Sequence, residues 1–255
     1  MVQGWKPANN KEGDPNSSLD YIELTGKLNW LSIKTRPDIT QSIARLQRRS
    51  SSPTDADFDA VKRIYRYLKS NPRYGIVLGQ IPTQPFTAFV DASYADCEKG
   101  RSTESYVFML GGAPIAWSSK RQQIVAHSTT VAEYCSMSTI MMVRQGLYLQ
   151  NICRAIGFEF DHPLPVFTDS GNVIKLLNKP GYSPGIRHLD VRYHYVKESK
   201  DENRIRIEKI DGKKNPADGL TKPYDNYKFV QFRNLIGLKE TNFSIKNSSD
   251  SEDDE

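Results

Sequence analysis

Phe86-Thr87-Ala88-Phe89-Val90-Asp91-Ala92-Ser93 reads as a short apolar strand that closes on an acid and runs into a turn. Three more acids stand at comparable borders. Glu133 lies in Ser128-Thr129-Thr130-Val131-Ala132-Glu133-Tyr134, where a helix is predicted to begin, and Asp169 follows the apolar run Val166-Phe167-Thr168. Asp218 lies in Asn215-Pro216-Ala217-Asp218-Gly219-Leu220-Thr221-Lys222-Pro223, at the start of another predicted helix. Strand, helix, strand and helix thus each bring one carboxylate to an element boundary. Four carboxylates so placed can share two divalent cations about 4 Å apart, an arrangement that activates a water and stabilises a leaving oxygen at one phosphodiester.

Each acid also has a plainer role open to it. Asp91 can cap the turn that follows its strand. Thr130-Val131-Ala132-Glu133 has the form of a capping box, in which Glu133 reaches back to the helix start. Asn215 as N-cap and Pro216 as first helical residue put Asp218 in a first turn, where the helix dipole favours an acid. Thr168-Asp169-Ser170-Gly171 has the pattern of the catalytic loop of aspartic proteases, whose paired carboxylates share a proton. The chain has no second such loop, and a helix rather than a β-rich fold is predicted after Asp169.

The order of elements around these acids points to an α/β fold. Residues 1–19 read as a flexible arm, and three helices are predicted next: Tyr21 to Leu31, the segment after Pro37 with Ile39, Ile43 and Leu46, and Asp57 to Ser70. In the last of these Val61, Ile64, Tyr65 and Leu68 form an apolar face, while Lys62, Arg66 and Lys69 stand on another. Strands are predicted at Tyr74–Leu78, Thr87–Val90, Tyr106–Leu110 and Ile115–Ser118, with Gly111-Gly112 turning a hairpin. A long helix from Thr130 to Ile156 ends at Gly157. Then come a strand at Pro165–Thr168, helices at Val173–Leu177 and Asp190–Lys200, the alternating strand Arg204–Ile210, and helices near Pro216–Thr221 and Tyr227–Leu235.

Composition narrows the function classes. The chain has 255 residues, 38% hydrophobic and 25% charged, as in a globular protein. No apolar run approaches the roughly 18 residues that span a bilayer, and no signal-like core follows Met1, so no membrane partner is expected. Cys97, Cys135 and Cys153 are scattered and propose neither a disulfide frame nor a zinc site. Net charge is +5, although five acids fall within residues 250–255; discounting that tail raises the figure to +10. A basic body of this kind suits a phosphate-backbone partner. Lys62, Arg66, Lys69, Lys120, Arg121, Lys213 and Lys214, with Thr130 beside the second acid, are the candidate nucleic-acid contacts; solvated surface is the competing reading. His188 and His194 are six residues apart and cannot face one metal from a helix, and His127 and His162 carry no pattern.

Seven segments in one order carry a family resemblance. They are Leu24-Thr25-Gly26-Lys27-Leu28-Asn29-Trp30-Leu31, Thr35-Arg36-Pro37-Asp38-Ile39, Arg66-Tyr67-Leu68-Lys69, Ala116-Trp117-Ser118-Ser119-Lys120-Arg121-Gln122, Ala132-Glu133-Tyr134, Arg187-His188-Leu189-Asp190-Val191-Arg192-Tyr193-His194 and the segment Ala217 to Pro223. From Tyr21 to Leu238 the chain resembles the C-terminal part of the Pol polyprotein of copia-type long-terminal-repeat retrotransposons: the end of the reverse transcriptase and its ribonuclease H domain. The resemblance implies a ribonuclease H-like fold, a mixed five-stranded sheet flanked by helices. It divides the chain into an arm (1–19), a helical remnant of the reverse transcriptase thumb or connection (20–70), a ribonuclease H-like domain (71–238) and a disordered acidic tail (239–255).

It further implies endonucleolytic hydrolysis of the RNA strand of RNA/DNA hybrids with two Mg²⁺ ions, Mn²⁺ substituting. Asp91 would bridge both ions, Glu133 and Asp169 would serve the leaving-group side, and Asp218 the attacking-water side. The protein would be intracellular, in cytoplasmic virus-like particles or in the nucleus. Two features depart from the family: Val131 stands where an acid usually precedes Ala-Glu-Tyr, and the loop Asp211-Gly212-Lys213-Lys214-Asn215 lacks the histidine of cellular and retroviral relatives. No Tyr-x-Asp-Asp polymerase motif occurs, so the chain is not expected to polymerise DNA. A catalytically decayed hybrid-binding module, or a subdomain active only beside a polymerase domain, are the alternatives.

Overall fold

The computed structural model describes residues 15–78, 86–138, 140–160, 163–181 and 194–241. Helices α1 (Pro15–Lys34), α2 (Thr40–Gln47) and α3 (Asp55–Ser70) form an N-terminal helical unit. Its core is Tyr21, Leu28, Ile39, Ile43, Leu46, Val61 and Ile64, and the Tyr21 hydroxyl donates to the Leu46 carbonyl at 3.0 Å. Helix α3 begins where Thr54 and Asp57 close a capping box: Thr54 Oγ1 accepts from the Asp57 amide, and Asp57 Oδ2 accepts from the Thr54 amide at 2.8 Å. Asp55 and Asp57 at its start and Lys69 at its end also suit the helix dipole.

The second unit is a mixed sheet of five strands in the order β4-β3-β2-β5-β6, comprising β2 (Thr87–Ser93), β3 (Thr103–Leu110), β4 (Ala113–Arg121), β5 (Leu164–Thr168) and β6 (Ile205–Lys209). The first three form an antiparallel meander, and Gly111 and Gly112 both take positive φ in the tight hairpin turn that joins β3 to β4. Strands β5 and β6 run parallel to β2. Alternation sorts the sheet residues: Ala88, Val90 and Ala92 face the core beneath α4 (Thr129–Ser138) and α5 (Ile140–Ala155), whereas Phe89 packs with a C-terminal cluster that includes Leu220, Phe232 and Ile236. Helices α6 (Gly171–Asn178) and α7 (Tyr195–Asp201) complete the first layer, and α8 (Asn226–Leu235) covers the other face. This is a ribonuclease H-like α/β fold preceded by a small helical unit.

A two-stranded antiparallel sheet lies outside that order. Strand β1 (Tyr74–Ile76) pairs with β7 (Leu238–Glu240), and the Thr241 amide donates to the Arg73 carbonyl at 2.8 Å. The helical unit is fastened to the sheet by Trp117 of β4, whose indole N–H lies 2.7 Å from the Ser32 carbonyl and 3.1 Å from Thr40 Oγ1.

Several element boundaries differ from the sequence reading. Helix α1 begins at Pro15, a residue suited to a first helical position, so residues 15–19 are helical and not part of an arm. Lys239 and Glu240 belong to β7 because β1 offers them a ladder partner. The helix expected over 130–156 is described as Thr129–Ser138 and Ile140–Ala155, residue 139 lying outside the described residues. Ser136 ties α4 to β2 by donating to the Asp91 carbonyl at 2.7 Å, while α5 is set by Gly146, where a Cβ would meet Leu164 and Phe108 at 2.7 Å. The helix expected at 190–200 is described only as Tyr195–Asp201, since residues 182–193, with most of the Arg187–His194 motif, lie outside the described residues. His162, residues 1–14 and residues 242–255 lie outside them too.

Thr54→Ala removes one half of the α3 capping box and leaves the buried Asp57 carboxylate short of a partner. It should lower stability by about 1–2 kcal/mol in urea unfolding without changing the far-UV spectrum of the folded state. An unchanged midpoint would mean that α3 is held by its apolar face alone.

Candidate active site

Asp91 is the fifth residue of β2, and Asp169 is the first residue beyond β5. The two strands are parallel neighbours, Ala88 opposite Val166 and Phe89 opposite Phe167, so both acids emerge at the same sheet edge. The C-terminal edge of parallel strands is where open α/β sheets present ligand-binding groups. Helix α4 supplies the third. Its start is capped by Ser128, which takes the Val131 amide on Oγ at 3.2 Å and the Ala132 amide on its carbonyl at 3.0 Å. The capping box read at Thr130–Glu133 is therefore absent: Val131 holds the position where an acid would complete a box on Ser128, and Glu133 is free for the sheet edge. Ligand oxygens of Asp91, Glu133 and Asp169 all lie within 4.8 Å of one another.

Asp91 is 1% exposed, and Glu133 and Asp169 are partly buried. Burial pushes the Asp91 carboxyl up to about 7, opposed chiefly by the attraction of Lys222. Burial, then the repulsion of Asp91 and Asp169, pushes Glu133 up to about 9. Asp169 is raised as well, again by burial first. Glu133 Oε2 is buried and has no hydrogen-bond partner among the described residues. An all-oxygen set with an unpartnered buried carboxylate oxygen fits a hard divalent cation such as Mg²⁺. With two acids beside it at this edge, Asp169 does not form the two-carboxylate pair of an aspartic protease.

Asp218 approaches from the other side. The helix expected at 216–221 is a 3-10 turn, Asp218–Leu220, and two constraints shape it. Asn215 is buried and fully engaged, donating from Nδ2 to the Val90 carbonyl at 2.9 Å and accepting the Ala217 amide on Oδ1 at 3.1 Å. Pro223 then disfavours helical backbone at the residue before it. The turn is pinned to the sheet by Ser105, which donates to the Ala217 carbonyl at 2.9 Å. The Asp218 carboxylate stands outside the close trio and accepts from Lys222 Nζ and the Tyr224 hydroxyl. Lys222 Nζ also lies 3.7 Å from Asp91 Oδ2, to which Thr221 Oγ1 donates.

Thr221, Lys222 and Tyr224 were not singled out in the sequence as site residues. The signal was present, since polar groups three, four and six residues after an acid can turn back on it. Gly212 was missed as well. A Cβ there would stand 2.9 Å from Asp169 Oδ2, so the loop passes the site at backbone distance.

The basic candidates fall in different places. Lys213 and Lys214 are exposed in the turn that Gly212 opens, and Lys213 borders a cleft of about 980 Å³ that reaches Asp218 and also has Tyr227 and Lys228 on its wall. Lys120 pairs with Glu104 at 3.3 Å, Arg121 is exposed at the end of β4, and Thr130 is half-buried in the first turn of α4. Lys62, Arg66 and Lys69 are exposed on α3, with Lys62 3.5 Å from Asp59. Arg66 lines a second cleft, of about 660 Å³, between α3 and α8, and Tyr224 borders both clefts. His194 Nδ1 lies 3.2 Å from the hydroxyl of Tyr134.

No protein-family profile matches the chain. Over 220 residues, 86% of this chain, it is 31% identical to the retrovirus-related Pol polyprotein from transposon RE2 of Arabidopsis thaliana; over 234 residues, 91% of the chain, it is 30% identical to that from transposon TNT 1-94 of Nicotiana tabacum. Among solved structures, LC11-RNase H1, isolated from compost by a metagenomic approach, aligns over 55% of this chain and 94% of its own at 17% identity and a TM-score of 0.41. The chain spans only 15% and 17% of the two polyproteins. Over most of its length the chain is homologous, at 30–31% identity, to retrovirus-related Pol polyproteins from transposons.

Proposed function

We propose that this protein hydrolyses the RNA strand of RNA/DNA hybrids at the edge formed by β2, β5 and α4. The observation that carries the reading is the convergence of Asp91, Glu133 and Asp169 within 4.8 Å, one carboxylate oxygen being buried and without a partner. When bound there, divalent cations would supply an activated water and stabilise the leaving 3′-oxygen. Asp91, Glu133 and Asp169 would hold one Mg²⁺ or Mn²⁺, and Asp91 with Asp218 a second. The protein's own part is to fix those oxygens on a rigid edge and to present Lys213 and Lys228, across the cleft beside Asp218, to the phosphates of a strand. Duplex shape and the 2′-hydroxyls would distinguish RNA from DNA. The reaction belongs inside a cell, where a reverse-transcribed hybrid arises.

A second reading, in which the protein works only beside a polymerase domain, is favoured by α1. Leu19, Ile22, Trp30 and Ile33 are 67%, 48%, 61% and 52% exposed and fall at helical spacing on one face.

Asp91→Asn should lower hybrid cleavage by a factor of about 10²–10³ or more while circular dichroism stays unchanged, and Asp169→Asn and Asp218→Asn should follow. Parent-level cleavage by Asp91→Asn would end the assignment. Adding a polymerase domain from a related element to the assay separates the two readings.

The raised carboxyls also set a pH dependence. An acid whose folded pKa lies above its unfolded value, near 4, keeps its proton longer in the folded state, so stability falls as pH rises from about 4 through 7 and 9. In chelator the melting temperature should decline between about pH 5 and 9, and Mg²⁺ should reverse the decline. The Asp91→Asn, Glu133→Gln double variant should lose most of the decline, Asp169 alone still being raised by burial; the full decline in that variant would place its origin elsewhere.

Replacing Lys62, Arg66 and Lys69 together by Gln should weaken hybrid binding and reduce its salt dependence by roughly one counterion per lost phosphate contact, leaving cleavage at saturating hybrid close to parent. An unchanged salt slope would make this face ordinary solvated surface.

A further inference from the structure

Two cation demands are visible at the site, and they are met differently. The close trio surrounds the buried, unpartnered Glu133 Oε2, whereas the pair Asp91 and Asp218 is already bridged from within the chain. Lys222 Nζ donates to Asp218 Oδ1 and lies 3.7 Å from Asp91 Oδ2. Tyr224 donates to the other Asp218 oxygen, Oδ2, and Thr221 to the same Asp91 oxygen that faces Lys222, so the run Thr221-Lys222-Pro223-Tyr224 folds back over both carboxylates like a clip. The lysine side chain is 42% exposed, against 1% for Asp91, and so has a way out to solvent. Burial disfavours its charge, yet the attraction of Asp91 and Asp218 outweighs burial and holds the ammonium protonated well above its usual range.

We infer that Lys222 is a built-in cation that neutralises the Asp91–Asp218 pair in the resting site and leaves that position when a second divalent ion binds. The inference rests on the metal reading proposed above. It makes the two ion positions unequal: the trio is open to a cation, whereas the pair takes one only by displacing a charge covalently tied to the chain. Lys222 then acts through the carboxylates as a positioning group, keeping Asp218 turned toward Asp91 between turnovers.

Calorimetric titration of the full chain with Mn²⁺ tests this without reference to cleavage. The parent protein should show one tight site and one at least about tenfold weaker, and Lys222→Met should tighten the weaker site by about tenfold or more, the scale of removing a like charge beside a ligand. Lys222→Arg, which keeps the charge, should retain the parent isotherm. An unchanged isotherm in Lys222→Met, or an Arg variant that behaves like Met, overturns the inference. If Lys222→Met unfolds in chelator and refolds on adding Mn²⁺, the neutralising role is supported. If it folds in neither condition, the lysine ammonium resonances of the parent decide: one should lose its hydrogen-bonded shift at the second equivalent of a diamagnetic divalent ion and not at the first, and a signal that never moves refutes displacement. Failure of the underlying reading looks different, because the parent would then bind no Mn²⁺, or Asp91→Asn would bind it equally well.

Discussion

Like charge crowded into a place with little water is the constraint that the rest of this structure answers. Two carboxylates 4.8 Å apart repel by roughly 3 kcal/mol at an effective dielectric of about 20, and the site holds three at that separation or closer. A hydrogen bond to an ionised carboxylate contributes about 1.5–3 kcal/mol net, so Thr221 at Asp91 does not offset the sum over three such pairs. Only protonation or a cation can. The raised carboxyl groups of Asp91, Glu133 and Asp169 and the bridging ammonium of Lys222 are the two responses within the chain's own means.

Such a cluster persists only on a backbone that does not relax away from it. Side chains from three separate elements grip the β2 main chain at the critical residues. Ser136 of α4 and Ser105 of β3 both reach the Asp91 carbonyl, at 2.7 and 3.4 Å, and Asn215 reaches the Val90 carbonyl at 2.9 Å. Ser105 also fastens the turn that carries Asp218. The supporting groups are small, buried and neutral, which suits them to hold geometry without adding charge to a site that has too much of one sign already.

Much of this was legible in the chain itself. Apolar alternation marks β2 and β3, the Gly111-Gly112 pair marks a tight hairpin, and the borders at Asp91 and Asp169 follow from where apolar runs stop. What the sequence concealed was decided by partners remote along the chain. Ser128 rather than Thr130 caps α4, and nothing local chooses among three consecutive hydroxyl residues. The segment Asn215–Thr221 has good helix-start residues, yet the side chain of Asn215 is committed to a strand 125 residues earlier, and the turn stays short. Lys222 was visible only as one letter of a family motif; its meaning depends on Asp91, which lies on a different element.

The small β1–β7 sheet bears on how the molecule assembles. It joins Arg73 to Thr241, a separation of 168 residues, whereas the β2–β3 and β3–β4 pairings are hairpins of neighbouring segments. Closing so long a loop costs chain entropy that local contacts do not, and pairings of this kind form slowly. During synthesis the meander can zip as it emerges, but β1 must wait, edge open, until nearly the whole domain has left the ribosome. Its brevity, three residues, then acts as protection: too short an edge to recruit a foreign strand, yet sufficient to latch once β7 arrives.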